Sequence, residues 1–368
     1  MATWTVGTGQ TYSTIQSALD ALYTAVTTST FTVTQTIAVY NGTYNEKITP
    51  NAGLIPTATY RLVITAADGN SPIIDGQASR QYAIQNIGVS YVTFNGFITR
   101  NTTLREIDYE SCSYGIISNN IAGPNVYGIN LYKGVGGSIS AVGGHIVYNN
   151  FIFGSTGGEG GGIVGDELSG CTIYNNLIIN CTQGIDTYDV IGNTYIYNNT
   201  FYGNGQGIRF EDDVATNITF KNNAVYNSTG HCIQFLDPYS AQTNLVSDYN
   251  DLYIAGTAKV GNWSGVDKTS LGDWQGASNQ DSHSIGTDPS FVTAGGTTAP
   301  AYKLATGSGA LKVGVNLYAT VATDYFGWPR PNTTAFDIGF YEQLLIATDA
   351  SSNIWVQDIN GISSVGFK

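Results

Sequence analysis

The sequence contains few charged residues for its length. Of its 368 residues only 11% are Asp, Glu, Lys or Arg, whereas about 25% is usual for a globular domain. Lys and Arg total 14 against 27 Asp and Glu, so the formal net charge is −13 and no nucleic-acid partner is expected. No apolar run reaches the ~20 residues that span a bilayer. Residues 1–6 lack the basic and apolar regions of a secretory signal.

Cysteine and histidine are equally scarce, and neither forms a motif. There is no CxxC pair and no metal-ligand spacing, which predicts small buried thiols rather than a zinc site. No histidine lies near another in the sequence, and no constellation of Ser, Cys, His and Asp indicates nucleophilic catalysis. The residues concerned are Cys112, Cys171, Cys181, Cys232, His145, His231 and His283.

A short motif of an aromatic residue followed by two Asn recurs through the middle of the chain, and a Gly-Ile pair recurs alongside it. The spacing from Tyr174 to Tyr197, and from Tyr197 to Phe220, is 23 residues both times. A fixed period of β-branched and aromatic runs separated by Asn and Gly is typical of a solenoid. We therefore predict an all-β protein, a single-stranded right-handed parallel β-helix with one coil per period. The motif occurs as Tyr148-Asn149-Asn150, Tyr174-Asn175-Asn176, Tyr197-Asn198-Asn199 and Phe220-Lys221-Asn222-Asn223.

Stacked asparagines are expected at one corner of the coils. Amide side chains at the same position of successive coils can hydrogen-bond to one another along the axis. We assign this structural ladder to the first Asn of each motif, with no chemical role. The column is Asn149, Asn175, Asn198 and Asn222.

The first residues break the repeat and predict a cap. Apolar residues at positions 15, 18, 19 and 22 have the spacing of an amphipathic helix, with Ser13 or Thr14 as the N-cap. An open end of a solenoid needs such a cover. The same reasoning divides the chain into four segments. They are an N-terminal cap (1–30), parallel β-helix coils (31–252), a C-terminal module containing the last coil at 336–342 (253–342), and a hairpin or tail suited to capping or assembly (343–368).

These features resemble the pectin-lyase-like right-handed β-helix proteins. Residues 6–18 resemble their N-terminal cap, and the Gly-Ile and Asn-Asn coils resemble their repeats. A terminal module common in bacterial members resembles residues 270–275, 280–285, 288–291, 327–331 and 337–339. The resemblance covers about residues 4–342 and implies the fold. The scaffold carries lyases, hydrolases, epimerases and viral tail spikes, and neither the hydrolase motifs nor the Asp-Pro-His motif of alginate epimerases is present.

Alignment of the coils on Gly-Ile concentrates acidic residues on one outer face. Side chains alternate along a strand and neighbouring coils lie roughly 4.8 Å apart, so residues in one register form a column. The first column holds Val164, Asp186, Arg209 and Gln234. The second holds Asp166, Tyr188, Glu211 and Leu236. The corner column holds Glu167, Asp189, Asp212 and Asp237.

Three uses of this acidic cluster remain open. Two carboxylates can act as the acid and base of a glycosidase; the candidate catalytic residues are Asp166, Asp186, Asp189, Arg209, Glu211 and Asp212. Carboxylate oxygens can bind calcium, and the candidate ligands are Asp166, Glu167, Asp189 and Asp212. No cofactor is required otherwise. The resemblance implies that such a calcium would assist an Arg or Lys base, with Arg209 and Lys133 at related positions. Alternatively, the acids only keep a flat sheet soluble.

Outward aromatic residues complete the candidate site, since Tyr132 and Tyr188 can stack on sugar rings. The expected partner is therefore a polysaccharide or cell-surface glycan. The leading hypothesis is a virion-surface protein, a tail spike, fibre or capsid decoration, with a homotrimer as the candidate assembly. A secreted polysaccharide lyase or glycoside hydrolase is the alternative, and a non-catalytic extracellular adhesin or scaffold is the third. The expected location is extracellular or on a virion.

Overall fold

Three parallel β-sheets wrap around one apolar core. The computed structural model describes residues 2–26, 30–133, 142–157, 160–166, 168–188, 192–211, 218–227, 229–236 and 245–343, and the strands at 345–348, 354–357 and 365–367. Each coil contributes one strand to each sheet in turn, so neighbouring strands of a sheet come from successive coils. The predicted all-β parallel β-helix is confirmed.

The first sheet has ten strands in the described residues, all parallel. Its strands, numbered in chain order with those of the other sheets, are β1 (Ala2–Val6), β2 (Gln35–Val39), β4 (Leu62–Ala66), β7 (Val92–Asn95), β10 (Ile116–Ser118), β14 (Ile146–Tyr148), β18 (Thr172–Tyr174), β21 (Thr194–Tyr197), β24 (Ile218–Lys221) and β27 (Leu245–Asp248). Buried and partly exposed residues alternate along them, as in Gln35–Val39, because successive side chains point to opposite faces.

The second sheet consists of nine short strands. They are β3 (Thr43–Tyr44), β5 (Ile73–Asp75), β8 (Ile98–Arg100), β11 (Ile121–Ala122), β15 (Phe151–Phe153), β19 (Leu177–Ile179), β22 (Thr200–Tyr202), β25 (Ala224–Asn227) and β28 (Asp251–Ile254). Its outer face is covered in part by the C-terminal module, which packs on Leu177, Ile179 and Ala224.

The third sheet carries the Gly-Ile marks and the acidic residues. Its strands are β6 (Tyr82–Ile87), β9 (Arg105–Glu110), β12 (Tyr127–Tyr132), β16 (Gly161–Gly165), β20 (Gln183–Thr187), β23 (Gln206–Phe210), β26 (His231–Phe235), β29 (Lys259–Trp263) and the antiparallel β30 (Val266–Lys268). Two further short strands, β13 (Val142–Gly143) and β17 (Leu168–Ser169), pair with each other.

The Gly-Ile mark has a steric origin. The isoleucines stack along the axis inside the coil, as Ile163 on Ile185 and Ile185 on Ile208, and each is fully buried. The preceding position lies against the next coil, where a Cβ on Gly184 would come within 2.4 Å of the Gly207 carbonyl oxygen. Glycine relieves this approach, which explains why the pair repeats, although two coils carry Glu106 and Cys232 at the same position.

The asparagine ladder lies one residue later than the sequence analysis placed it. The second Asn of each motif is buried, and Nδ2 of Asn176 donates to Oδ1 of Asn199 at 3.0 Å. The ladder runs through Asn120, Asn150, Asn176, Asn199, Asn223 and Asn250. The first Asn instead turns the corner in the left-handed conformation, with φ between 51° and 58° at Asn149, Asn175, Asn198 and Asn222. The reason is that asparagine tolerates that backbone region well.

The predicted N-terminal helix is present as α1 (Ile15–Val26). Thr14 is its N-cap, since its hydroxyl oxygen accepts from the Ser17 backbone N–H at 3.1 Å. The carboxylate of Glu46, from the second coil, accepts from the N–H groups of Ile15 and Gln16 at 2.8 and 2.9 Å. These contacts satisfy N–H groups that a helix cannot pair internally.

The C-terminal module contains α2 (Leu271–Ser278), whose Trp274 is fully buried. The Trp274 indole donates to Asp281 at 2.8 Å, and its ring lies against Gly261 of β29. A short 3-10 helix follows at Ala299–Tyr302. None of the helices in the described ranges is long and apolar enough to cross a membrane.

Residues 336–342 differ from the expected last coil. They form no strand with the coils; instead Phe340 N–H donates to the Thr200 hydroxyl at 3.1 Å and Gly339 N–H to the Asn222 carbonyl at 2.7 Å. The segment therefore lies along the flank of the solenoid. Beyond it, the predicted hairpin is confirmed by β31 (Leu345–Thr348) and β32 (Ile354–Gln357), to which β33 (Val365–Phe367) adds a third antiparallel strand.

Candidate functional site

The third sheet brings the predicted first column together as expected. Val164 pairs with Asp186, Asp186 with Arg209, and Arg209 with Gln234 in the parallel ladder. The same register continues toward the N-terminus through Asn130, Asp108 and Gln85. This column is thus seven coils long, and its residue type changes from each coil to the next.

Arg209 links the acidic candidates of two coils. Its Nε and Nη2 donate to the two carboxylate oxygens of Asp186 at 2.9 and 2.7 Å, and Nη2 also contacts Glu211. The Asp186 side chain is fully buried, whereas 13% of the Arg209 side chain is exposed. Burial opposes the charge of Arg209, but Asp186 and Glu211 outweigh it and raise the pKa of the guanidinium. The three residues form one ion-pair network.

A cleft of about 170 Å³ opens on the same face, between the coils of β9 and β20. Its floor is Asn130 and Val164, which are almost completely buried. The residues that line it are Arg105, Tyr127, Asn130, Tyr132, Val164, Asp166 and Tyr188. Three of these, Tyr132, Asp166 and Tyr188, were predicted site residues, and the structure brings them together in the lining of the cleft.

The coil of β16, which supplies Val164 to the cleft floor, carries small residues. Gly161 stands in the register where neighbouring coils have Tyr127 and Gln183. A Cβ on Gly161 would come within 2.6 Å of Val164 Cγ2 and 3.4 Å of Asp186 Cβ. Val164 is also the one short apolar residue in a column that is otherwise polar. Val164 fills the position that a side chain on Gly161 would take, and the rings of Tyr127 and Tyr132 line the cleft beside it.

Arg105 closes one end of the cleft. Its guanidinium lies 5.6 Å from the ring centroids of both Tyr127 and Tyr132, and its Nη1 donates to Asp108 at 3.2 Å. Asn130 donates to the same Asp108 oxygen at 2.8 Å. Cation–π contact and ion pair together hold the two tyrosine rings in place before any ligand arrives.

Two buried titratable groups lie beneath this face or beside it. Glu106 of β9 is fully buried; burial raises the pKa of Glu106 to about 7, against the opposing effect of the nearby Thr102, Thr99 and Asn125. His145 is fully buried as well, with its ring nitrogens bonded to Gly115 N–H at 2.9 Å and to the Cys112 carbonyl at 3.0 Å. Burial lowers the pKa of His145 to about 4.

The calcium prediction stays untested at three of its ligands. Glu167, Asp189 and Asp212 lie outside the described residues. Among the residues that are described, no group of three or more His, Cys, Asp or Glu side chains is arranged to hold a metal. The four cysteines are free and buried, as expected.

Arg105, Tyr127 and Asn130 were missed by the sequence analysis. Arg105 and Tyr127 lie two residues before Ile107 and Ile129, a register that the columns, counted from the residue after the Ile, do not include. Extending the first column one coil toward the N-terminus would have found Asn130.

Comparison with known proteins supports the architecture. Residues 82–247 match the family described as "Right handed beta helix region". No curated protein matches the chain. Among solved structures, pectate lyase Pel9A is similar with a TM-score of 0.53 and 13% identity, over 93% of this chain and 96% of that one. The chain therefore has the fold of a right-handed parallel β-helix, similar in architecture to that pectate lyase.

Proposed function

We propose that the protein binds a polysaccharide across the third sheet, with one sugar unit in the cleft. The observation that carries this proposal is the lining of the cleft, in which Tyr127, Tyr132 and Tyr188 border a floor of Asn130 and Val164. Rings supply flat apolar area for a sugar face, and the polar groups supply hydrogen bonds for its hydroxyls.

The shape of the scaffold supports a polymeric ligand. A solenoid offers a long regular surface on which successive coils can contact successive units of a chain. The third sheet runs without a break from β6 to β29 in the part of the chain that is described. The fold is also that of a pectate lyase, which supports a polysaccharide-related role.

The ion pairs favour binding of the polysaccharide without its cleavage. A base must be able to give up its proton near neutral pH, yet Asp186 and Glu211 raise the pKa of Arg209. Asp186 in turn has both oxygens engaged by Arg209. These groups stabilise the coil stack in this arrangement, and the cleft beside them supplies recognition.

For the biological setting we propose a virion-surface protein, such as a tail spike, fibre or capsid decoration. The low charge content and the three antiparallel strands that follow the flank segment support this setting, because a separate strand element suits assembly. A tail spike would associate as a homotrimer of 39.1 kDa chains. Size-exclusion chromatography with light scattering tests this directly: a monomer at micromolar concentration argues for an adhesin or scaffold with the same binding face.

Removal of the aromatic wall tests the binding proposal. In a screen of surface polysaccharides by affinity electrophoresis, Tyr132→Ala and Tyr188→Ala each weaken binding about tenfold, the typical loss for a central aromatic contact. Tyr60→Ala is the control, since Tyr60 is 38% exposed on another part of the coil. If all three variants bind like the wild type, the cleft is not the site.

A polysaccharide lyase or glycoside hydrolase is the second candidate, favoured by the likeness in fold to pectate lyase Pel9A. A lyase would release unsaturated products that absorb in the ultraviolet, and a hydrolase would release reducing ends alone. We expect neither signal, with or without calcium, from polymers that the protein binds. Product formed by the wild type and abolished by Arg209→Lys would replace the binding proposal with an enzymatic one.

A further inference from the structure

The floor of the cleft places a hydrogen-bond acceptor beside an apolar side chain. Asn130 and Val164 occupy adjacent coils in the first column of the third sheet. Both line the cleft, although only 2% of Asn130 and 4% of Val164 is exposed. Neighbouring coils lie roughly 4.8 Å apart, so a ligand group that reaches this floor contacts both side chains at once.

Asp108 fixes the orientation of the Asn130 amide. Asn130 Nδ2 donates to Asp108 Oδ1 at 2.8 Å, and Arg105 Nη1 donates to the same carboxylate oxygen at 3.2 Å. In the ladder Asp108 lies on one side of Asn130 and Val164 on the other. Asn130 Oδ1 is therefore turned away from Asp108, toward the coil of Val164. An amide oxygen accepts hydrogen bonds and the valine side chain has none to donate, so Asn130 offers an acceptor to a ligand.

Val164 provides the matching apolar contact. The other residues of the column, from Gln85 to Gln234, are polar or charged. A ligand methyl group that leaves water and packs on Val164 is worth about fourfold in affinity. The same position gives a hydroxyl group no partner. The floor thus favours a ligand in which a donor and a methyl group lie close together.

We propose that the cleft recognises the acetamido group of an N-acetylated amino sugar. In this group one carbonyl carbon carries both the N–H and the methyl group, so a single rigid plane can donate to Asn130 Oδ1 and place its methyl on Val164. The acetamido oxygen can accept from Arg105, whose guanidinium has further N–H groups beside the one on Asp108. This inference rests on the proposed polysaccharide-binding function and adds to it the class of sugar.

Sugar pairs that differ only at C2 test this assignment. The methyl glycosides of N-acetylglucosamine, N-acetylgalactosamine and N-acetylmannosamine are each compared with the parent hexose by saturation-transfer NMR and titration calorimetry. In at least one pair we expect the acetamido sugar to bind about fivefold more tightly, with the strongest saturation at its acetamido methyl. A 6-deoxyhexose that binds more tightly than every acetamido sugar would assign the Val164 contact to another methyl group and overturn the inference.

A valine-to-threonine change tests the floor itself. Val164→Thr keeps the shape of the side chain and replaces one methyl group by a hydroxyl. It should weaken binding of the acetamido sugar about fourfold and leave that of the parent hexose within about twofold. Val63→Thr is the matched control, because Val63 is a partly exposed residue of β4 in the first sheet, and it should change neither affinity. An unchanged preference in Val164→Thr would contradict the inference.

The inference and the proposed function fail in different ways. Equal affinities within every sugar pair would overturn acetamido recognition and leave polysaccharide binding intact. The same holds if polysaccharides bind in the affinity screen and lose binding on Tyr132→Ala, yet no acetamido sugar binds. If neither the polysaccharides nor the sugar panel bind, both are overturned.

Discussion

Two columns of side chains run along the same solenoid and follow opposite rules. The buried ladder repeats one residue at every coil, from Asn120 to Asn250. The outward column of the third sheet changes from Gln85 to Asp108, Asn130, Val164, Asp186, Arg209 and Gln234. Identical amides pair with themselves along an axis, so repetition satisfies the ladder internally. The residues of a column that varies must interact with partners other than their own copies.

The comparison distinguishes structure from recognition within one repeat. A position that must pair with its own copy is constrained to one residue type. The outward column is free of that constraint, and its one apolar residue, Val164, lies in the floor of the cleft. Variation between coils is thus the more informative signal for a binding site in a solenoid.

Breaking the ladder should have the largest effect. Asn176→Ala removes the acceptor of the Asn150 backbone N–H at 3.0 Å and the donor to the Val147 carbonyl at 3.0 Å. Buried groups left without partners cost about 1–3 kcal/mol each, so we expect a loss of about 4 kcal/mol in the free energy of unfolding. Urea denaturation measures this, with Asn45→Ala at an exposed site as control. A loss below about 1 kcal/mol would show that the ladder is dispensable.

The Asp186–Arg209 pair should behave as a buried structural contact within the variable column. Arg209→Met leaves a fully buried carboxylate uncompensated, which costs about 3 kcal/mol. The double variant Asp186→Leu with Arg209→Met should recover most of that loss, because it removes the isolated charge. Equal stability of the single and double variants would contradict this interpretation.

Glu106 should make the stability of the protein depend on pH, whereas the uncharged asparagine ladder adds no such dependence. The folded-state pKa of about 7 lies above the ordinary 4.5, so the folded state binds the proton more tightly and stability falls as pH rises through this interval. Relative to wild type, Glu106→Gln should therefore gain about 2 kcal/mol between about pH 5 and pH 8. Denaturation midpoints at several pH values measure the gain.

His145 supplies the opposite slope and is the matched comparison. Its folded-state pKa of about 4 lies below the ordinary 6.5, so the unfolded state binds the proton more tightly and stability rises with pH in this range. His145→Gln should lose up to about 2 kcal/mol relative to wild type between about pH 5 and pH 8. Parallel pH profiles for Glu106→Gln and His145→Gln would rule out both assignments.

The smallest effect is expected at the far end of the variable column. Gln234→Ala removes an amide that lies partly exposed next to Arg209 in the ladder. We expect a change within about 0.5 kcal/mol, as for most surface substitutions. The losses in unfolding free energy of Gln234→Ala and Asn176→Ala, measured in the same denaturation assay, give the difference between the two columns.

The sequence predicted the coil register well because the inner positions constrain it. A slip of one residue would turn every buried isoleucine outward, so alignment on Gly-Ile placed Asp186 beside Arg209 correctly. The ladder was assigned to the wrong Asn for a local reason. The motif has two adjacent amides of equal chemistry, and only the left-handed backbone at Asn175 shows which one turns the corner.

The cleft could not be predicted in the same way, because it depends on how side chains from several coils pack around a space. In the sequence, Val164 looks like one more apolar residue of a strand. Only the packing of Tyr127 and Tyr132 around the space, held by Arg105, shows that it is open to a ligand. The acidic candidates Glu167, Asp189 and Asp212 remain predictions.

The corner asparagines have a consequence for the order in which the chain folds. Asn175, Asn198 and Asn222 hold the C-terminal segment 315–339 through the carbonyl groups of Thr323, Gly339 and Val315. These anchor points belong to three successive coils, so the segment finds its full binding surface only after all three have stacked at their proper spacing. Docking of the C-terminal segment therefore follows the stacking of these coils and depends on their spacing along the axis. An insertion in any one of these coils would let the solenoid assemble but would prevent the C-terminal segment from docking on it.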